Sequence, residues 1–578
     1  MDSFMKGSDL MEKPILAQYT IRSKQSYIFR TDKSDRLLEI MGASEIIDRS
    51  FDFIFDCAEQ CGFRALRVRS KSGWGEPFNI KDVVAQFALA DNDSPGKHES
   101  GLDVVELFIG GGNDTILFRN MDVCRHVNEQ YSRLLLTQYP GVIPMYVGVP
   151  VDLSPHSDYN RDYGRLMDEV DREKNRMIPG RGGYAVPFAM MNRNTFQPFS
   201  QILDVNGDQI EVTDESKAKY IVGQKKREEL QQTRFLDDMI TKHGEESLLA
   251  VVHADGNNMG LKIKRFLNGK ESYDECVTMM RKFSWSIDKA FEAGAVEMEK
   301  RRKKMEEDDR RDFKSRHSSM KKDALNEALA RRTSTFFVRW VISGGDDATF
   351  LCNARYAKDL TAAYLDGVYK YQSSFKDLQL GKFSSCAGIC IFHSHDPIAR
   401  AYALAEEACS NAKVRSRAAD KRGEIDECWV DFHVIQSGTG GNLKELRSLH
   451  QTADKQARPW LVVPKSDKTA FRYSLDALDQ LAAVLRKFNI SRTNIKTFGA
   501  AYEIDPSQGK MEWDRICYHT DDVEEQQKGN TQKKTVSLRD KLLGLEGNTS
   551  LFPNHDALLK ALYDISEVYD LWYAKRGD

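Results

Sequence analysis

Asp346 and Asp347 follow a Gly344-Gly345 turn, between the apolar runs Arg339-Trp340-Val341-Ile342-Ser343 and Ala348-Thr349-Phe350-Leu351. The pattern predicts a β-hairpin whose tip carries two adjacent carboxylates. Glycine supplies the backbone angles of such a turn and leaves room for a phosphate to approach. Paired Asp residues at a tip suit Mg²⁺, which takes oxygen ligands and binds one or two carboxylates together with substrate phosphates. The plain alternative is an ordinary turn, since turns are rich in Gly and Asp.

A second acidic stretch lies upstream. Leu248-Leu249-Ala250-Val251-Val252-His253-Ala254 reads as a buried strand, and it ends in Asp255-Gly256-Asn257-Asn258-Met259-Gly260. Beyond it Cys276, Met280, Phe283, Ile287 and Phe291 recur at helical spacing. Strand, glycine turn and helix together aim backbone N–H groups at a phosphate. One carboxylate at a strand end and two on a neighbouring hairpin can converge on a pair of divalent ions, the two-metal arrangement of phosphoryl and nucleotidyl transfer. Alone, Asp255 would read as a helix cap.

The elements that must position these acids occur twice. Ile15 to Tyr19 reads as a strand, helical patterns follow through Leu37–Met41 and from Gly42-Ala43-Ser44 to Ile54, and a hairpin is formed by Val104–Ile109, Gly110-Gly111-Gly112-Asn113-Asp114 and Thr115–Phe118. A helix, a strand at Pro144–Val149 and a helix reaching Asn175 come next. The central hairpin is likewise followed by a helix, a strand at Ser385–Phe392 and a helix reaching Val414, opened by Asp396-Pro397. Two copies of one α/β unit are therefore expected. In the first copy Asp114 sits on the hairpin, but the leading strand ends in Thr20-Ile21-Arg22-Ser23, with no acid matching Asp255. One carboxylate facing an arginine is a poor cage for two divalent cations, so the chemistry is expected in the second copy.

Between the copies, Pro179-Gly180-Arg181-Gly182-Gly183-Tyr184 reads as a break, and a helix is expected around Leu230 to Ile240. Lys300 to Arg332 alternates basic and acidic blocks, as on an exposed helix laced with ion pairs. From Ser437 onward leucines recur at helical spacing (Leu475, Leu478, Leu481, Leu485; Leu558, Leu562), giving a helical C-terminal region without evident chemistry.

The totals set bounds on these readings. At 578 residues, three or four domains are expected. A net charge of −3 excludes a polycation that binds nucleic acid by bulk electrostatics. No run has the roughly 20 apolar residues needed to span a bilayer, and Met1 to Lys13 lacks an apolar signal core, so the expectation is a cytoplasmic protein without a membrane partner. Ten cysteines without any C-x-x-C read as buried, reduced thiols rather than zinc ligands or disulfides.

Gln25-Ser26-Tyr27-Ile28-Phe29 with Gly42-Ala43-Ser44, Ala254-Asp255-Gly256-Asn257-Asn258-Met259-Gly260, Ser343-Gly344-Gly345-Asp346-Asp347, Ala387-Gly388-Ile389 and Ala412-Lys413 occur in that order. Together they resemble the large, polymerase-like subunit of type III CRISPR effector complexes, over roughly residues 14 to 435. The resemblance implies an α+β fold with two ferredoxin-like palm domains, related to GGDEF diguanylate cyclases, and a helical C-terminal domain. The corresponding boundaries are 1–178 for the first palm with its degenerate metal site, 179–246 for a connector, 247–435 for the catalytic second palm and 436–578 for the helical domain.

For function, the resemblance implies a nucleotidyltransferase or cyclase that turns nucleoside triphosphates, ATP foremost, into linear or cyclic oligonucleotide signals for antiviral defence. Asp255, Asp346 and Asp347 would hold two Mg²⁺ (or Mn²⁺) ions. Backbone amides of Gly256, Asn257 and Asn258 would receive the triphosphate, Gly344 and Gly345 would let it approach, Lys413 would reach its oxygens, and Ser343 would contact ribose or base. Implied partners are nucleoside triphosphates, RNA or a CRISPR-type complex, with a homo-oligomer left open.

Two features depart from the family pattern. Many members begin with an HD nuclease domain, whereas this sequence opens almost directly on the expected first palm, with His395-Asp396 and His555-Asp556 far from the N-terminus, so DNase activity is not expected. Met190–Phe196 carries no cysteine zinc site where the family often has one. The second departure counts against assembly into a guide-RNA complex, and a stand-alone synthetase is expected. The alternatives are a scaffold or RNA-binding subunit of such a complex and a nucleotide sensor without turnover. A scaffold has no reason to crowd uncompensated carboxylates.

Overall fold

The computed structural model describes residues 13–573 except 32–36, 69–76, 92–100, 155–156, 177–189, 193–196, 206–207, 231–235, 241–246, 379, 421–426, 437–439, 450–453, 464–472, 527–532 and 546–551. The expected break at 179–184 and most of the 190–196 stretch lie outside the described residues.

The first sheet contains β1 (Ile15–Arg22), β2 (Ala65–Leu66), β3 (Val104–Gly110), β4 (Asn113–Phe118) and β5 (Ile143–Pro150), in the order β2-β3-β4-β1-β5. A hairpin of β6 (Gln201–Val205) and β7 (Asp208–Val212) follows. The second sheet takes β8 (Leu248–Gly256), β9 (Arg339–Gly344), β10 (Asp347–Asn353), β11 (Ser385–His393), β12 (Cys428–Val434) and β13 (Trp460–Val463), in the order β13-β12-β11-β8-β10-β9. In each unit the leading strand lies between the third and fourth of the fold's four strands, and the second lies beyond the third. This shared ferredoxin-like order supports the repeat expected from sequence.

Strand β8 is apolar along nearly its whole length because both of its faces are covered. Ala250, Val252 and Ala254 pack with Phe283, Ile287 and Ala290 of the long helix Tyr273–Arg316, and with Leu360 and Tyr364 of the helix Ala357–Lys370. Leu249 and Val251 belong to a different core. It joins Ala401, Ala405 and Ala408 of the helix Ile398–Asp420 to Ile46, Ile47 and Phe51 of the first unit. The two units therefore share a hydrophobic interior. Ser44 of the first unit also donates to the Val341 carbonyl on β9.

Several local expectations are corrected. The helix Leu37–Arg49 runs unbroken through Gly42. The connector helix is Asp214–Leu230, and among the described residues beyond it the expected 230–240 helix is a 3₁₀ turn at Leu236–Met239, with 231–235 outside the described residues. The second sheet runs past residue 435 through β13, and its core continues into the helices Leu475–Lys487, Arg492–Ile504, Pro506–Tyr518 and His555–Val568. Trp460 on β13 donates its indole N–H to Asp564 at 3.0 Å, tying sheet to helices.

The charged stretch forms the expected exposed helices, with Arg302 bonded to Glu299 (2.7 Å) and Glu306 (3.0 Å). All ten cysteines are free thiols, and most are buried. No helix among the described residues is long and apolar enough to cross a membrane.

Candidate active site

Strand β8 brings Asp255 to the edge of the second sheet, and the β9–β10 turn brings Asp346 and Asp347 beside it. Gly345 occupies the left-handed region, with φ at 61°, which lets the turn close. The antiparallel register sets Asp347 opposite Asp255 and Thr349 opposite His253. Side chains two apart on a strand share a face, so these four residues form a square on one side of the sheet. Metal-ligating atoms of His253, Asp255 and Asp347 all lie within 4.8 Å of one another. Asp346 is adjacent to this group but outside it. It sits over Gly256, whose N–H donates to the Asp346 carbonyl at 3.0 Å. A Cβ on Gly256 would come 2.8 Å from the Asp346 Cβ, so only glycine lets the turn rest there.

The acids raise one another's proton affinity. Burial first, and then the charges of Asp255 and Asp346, push the Asp347 carboxyl up to about 7. Asp346 is likewise raised, by burial and then by Asp255. Glu406, on the helix Ile398–Asp420, is raised by burial and by Asp255 as well. Burial lowers His253 to about 4, leaving its imidazole neutral near pH 7. Its Nδ1 bonds the Thr349 hydroxyl at 3.0 Å.

Closely spaced carboxylates that resist ionising together, beside a neutral imidazole, are a donor set suited to a divalent cation. The residues present therefore fit a divalent metal, with Asp255 and Asp347 in the tight group.

Lys413 contacts the Asp255 carboxylate and donates to the Gly256 carbonyl at 2.9 Å. Its helix can reach the site because Gly388 on β11 has no side chain; a Cβ there would lie 1.9 Å from the Ala405 carbonyl oxygen.

The predicted amide cradle is only partly available. The Gly256 N–H is committed to Asp346, and the Asn257 N–H to Ser384 at 2.9 Å. The Asn257 side chain is buried and bonds the Ser384 hydroxyl and the Glu427 carbonyl. It anchors the loop rather than facing a ligand. Asn258, at φ 58°, opens the helix Met259–Leu267, whose first turn carries the remaining amides.

Ser343, Gly344, Gly345 and Asp347 line a cavity of about 470 Å³ between the two units, within the range usual for ligand sites. The first unit contributes Lys24, Gln25, Asp48 and the turn Gly110–Gly112 to its walls, and the long helix contributes Trp285 and Asp288. The two glycine turns abut, so that a Cβ on Gly345 would lie 3.7 Å from the Gly111 nitrogen. Lys24 acts on both Asp346 and Asp347, lowering their proton affinity.

Sequence reasoning missed His253 and Lys24. The two-residue spacing of His253 from Asp255 could have flagged the first. The second depends on packing between units. The first unit's site also differs in detail from the expectation, because the residue opposite Asp114 is Tyr19, not Arg22.

Residues 248–421 match the family model of the Cas10/Cmr2 second palm domain. No curated protein matches the chain. Among solved structures, the chain is similar to a chain of the Csm1–Csm4 cassette crystallised with pppApA, at 13% identity and a TM-score of 0.43, covering 96% of this chain and 69% of that one. Csm1 in T. onnurineus shares 13% identity at a TM-score of 0.37, over 82% and 61% of the two chains. A chain of the type III-B Cmr-beta assembly in its apo state shares 9% identity at 0.43, over 97% and 82%. The second ferredoxin-like unit of this chain thus matches a Cas10/Cmr2 second palm domain over residues 248–421.

Proposed function

We propose that this chain is a nucleotidyltransferase that joins nucleoside triphosphates into linear or cyclic oligonucleotides, releasing pyrophosphate. The observation that carries the reading is the pairing of Asp255 with Asp347, with Asp346 beside them, next to the cavity that Asp347 lines between the palms. Acids crowded until Asp347 is raised to about 7 have no structural use in a fold held by two shared cores, but they have a use around cations.

Asp255 and Asp347 would hold a divalent ion, with Asp346 beside them; two Mg²⁺ or Mn²⁺ ions are the family's expectation. Bound there, such ions stabilise charge on a transferring phosphoryl group and make a 3′-hydroxyl easier to deprotonate.

The protein's own groups supply position. The first turn of the helix Met259–Leu267 offers N–H groups to phosphate oxygens. Gly344 and Gly345 leave space for close approach, and Ser343 lines the cavity where a ribose or base would lie. Lys413 is held on Asp255 and can turn from it to a phosphate once a cation takes over that carboxylate. The first palm forms the opposite wall and brings Lys24 toward the acids. ATP as the substrate and antiviral signalling as the role follow from the family resemblance.

The test is incubation of the purified protein with each ribonucleoside triphosphate and Mg²⁺ or Mn²⁺, read by mass spectrometry. Oligonucleotide and pyrophosphate are expected, and both should vanish in the Asp346→Ala/Asp347→Ala double variant. Triphosphates left intact under every condition, including with added RNA, would overturn the assignment.

A further inference from the structure

His253 is buried, with 5% of its surface exposed, on a strand whose other residues from Leu248 to Ala254 are apolar. Burying an imidazole without a task is costly, and the fold does more than bury it. It lies on the same face as Asp255, and Thr349 opposite it holds Nδ1 at 3.0 Å. Tyr402 packs edge-on against the ring at 5.5 Å, and Tyr402 is itself stacked on Phe29 of the first palm at 4.0 Å. Metal-binding histidines are commonly fixed in this way, with one ring nitrogen engaged by a polar partner and the other turned to the ion. Among the described residues, the group able to surround one cation is His253 with Asp255 and Asp347, not the three aspartates alone.

We propose that His253 is a nitrogen ligand of the metal centre, through the ring nitrogen that Thr349 does not engage. It completes a donor set of one imidazole and two carboxylates that holds Mn²⁺ in preference to Mg²⁺. The chemistry follows from ligand type. Mg²⁺ is a hard ion that seeks oxygen donors and sheds its waters reluctantly, whereas imidazole strengthens binding of first-row transition metals. Asp346, beside Gly256 and outside the group, is left to a second ion or to the triphosphate-bound state. This inference takes the location of the metal site from the proposed function, but it concerns binding of the ion rather than turnover.

The experiment uses the full-length, chelator-stripped protein with Mn²⁺ alone and no nucleotide. Pulsed EPR of the bound Mn²⁺ should show coupling to an imidazole ¹⁴N. The coupling should be lost in His253→Gln, with Mn²⁺ affinity falling at least about tenfold and Mg²⁺ affinity changing less than about threefold. Bound Mn²⁺ without nitrogen coupling in the wild-type protein overturns the proposal, even if the His253→Gln protein does not fold. So does an equal loss of affinity for both ions in a folded variant. A wild-type protein that makes oligonucleotides but shows no nitrogen coupling refutes the ligand alone. Nitrogen coupling without triphosphate turnover keeps the ligand and refutes the transferase.

Discussion

The two palms share strand order and hairpin, and their registers can be laid over each other residue by residue. Gly111-Gly112-Asn113-Asp114 occupies the place of Gly344-Gly345-Asp346-Asp347, and Tyr19 stands opposite Asp114 where Asp255 stands opposite Asp347. Two residues back, Ala17 pairs with Ile116 where His253 pairs with Thr349. The first palm thus keeps one acid of the polar square, replaces the other three members by an aromatic ring and two apolar side chains, and has the amide Asn113 in place of Asp346 beside it. Tyr19 fills the position, packing on Tyr131 and Tyr146 and donating its hydroxyl to Asn128 at 2.6 Å. Alternate residues on one sheet face decide whether this fold builds a charged centre or more core.

The strongest way to break the comparison is to remove the acids from each side. Asp346→Ala with Asp347→Ala should cut product formation on the order of 10³-fold or more, as expected when metal-holding groups are lost. Asp114→Ala should change the initial rate by less than about threefold per folded molecule. Equal losses in both palms would mean that the first is a second catalytic centre.

Next in size is Gly256→Ala. Its Cβ would press on the Asp346 Cβ and on Met259, displacing one acid while Asp255 and Asp347 stay paired. A displacement of about 1 Å can cost on the order of 10²-fold in rate, so a drop of roughly 10–100-fold is expected. Steady-state rates alongside melting curves distinguish this from unfolding. A variant with unchanged rate would show that Asp346 need not sit where the turn puts it.

The hairpin with its acids, the buried leading strand and the repeat were legible because each is a local pattern of apolar runs, glycines and carboxylates. Register was not. Counting back from the end of the first strand matched Arg22 to Asp255, whereas pairing across the sheet selects Tyr19. A slip of even one residue turns every side chain to the other face, and local sequence does not state the offset. The amide cradle was misread for a related reason. The N–H groups of Gly256 and Asn257 are consumed by Asp346 and Ser384, and Ser384 is more than 120 positions away. Lys24 reaches the site only through packing between units, which no periodicity reports. The helix Asp214–Leu230 was placed too late because its polar sequence shows little apolar periodicity to mark its limits.

A smaller effect separates the palms by pH. Asp347 is raised from its ordinary 3.8 to about 7, with burial first and Asp255 and Asp346 after it. Between those values the metal-free folded chain keeps a proton that the unfolded chain has released. Stability therefore falls as pH rises through the window and levels off above about 7. Melting temperatures in chelator should decline by a few degrees from pH 5 to pH 7.5 relative to Asp347→Asn, in which this contribution is removed. Saturating Mn²⁺ should reverse the decline, since a ligand bound only to the folded state stabilises it. Identical pH profiles for the two proteins would mean that the carboxyl is ionised throughout.

The mildest perturbation tests the other half of the contrast. Tyr19→Phe keeps the ring that fills the first palm's position and removes only the hydroxyl that donates to Asn128. Asn128 is buried, and its amide retains the Cys124 sulfur at 3.4 Å. Leaving a buried acceptor without its donor costs about 1–3 kcal/mol, and denaturant unfolding should report a loss of that size. If Tyr19 is core and nothing more, the rate of product formation should not move. Should it fall together with stability by more than the folded fraction accounts for, the aromatic position opposite Asp114 takes part in shaping the shared cavity, and the division between a working palm and a supporting one would have to be redrawn.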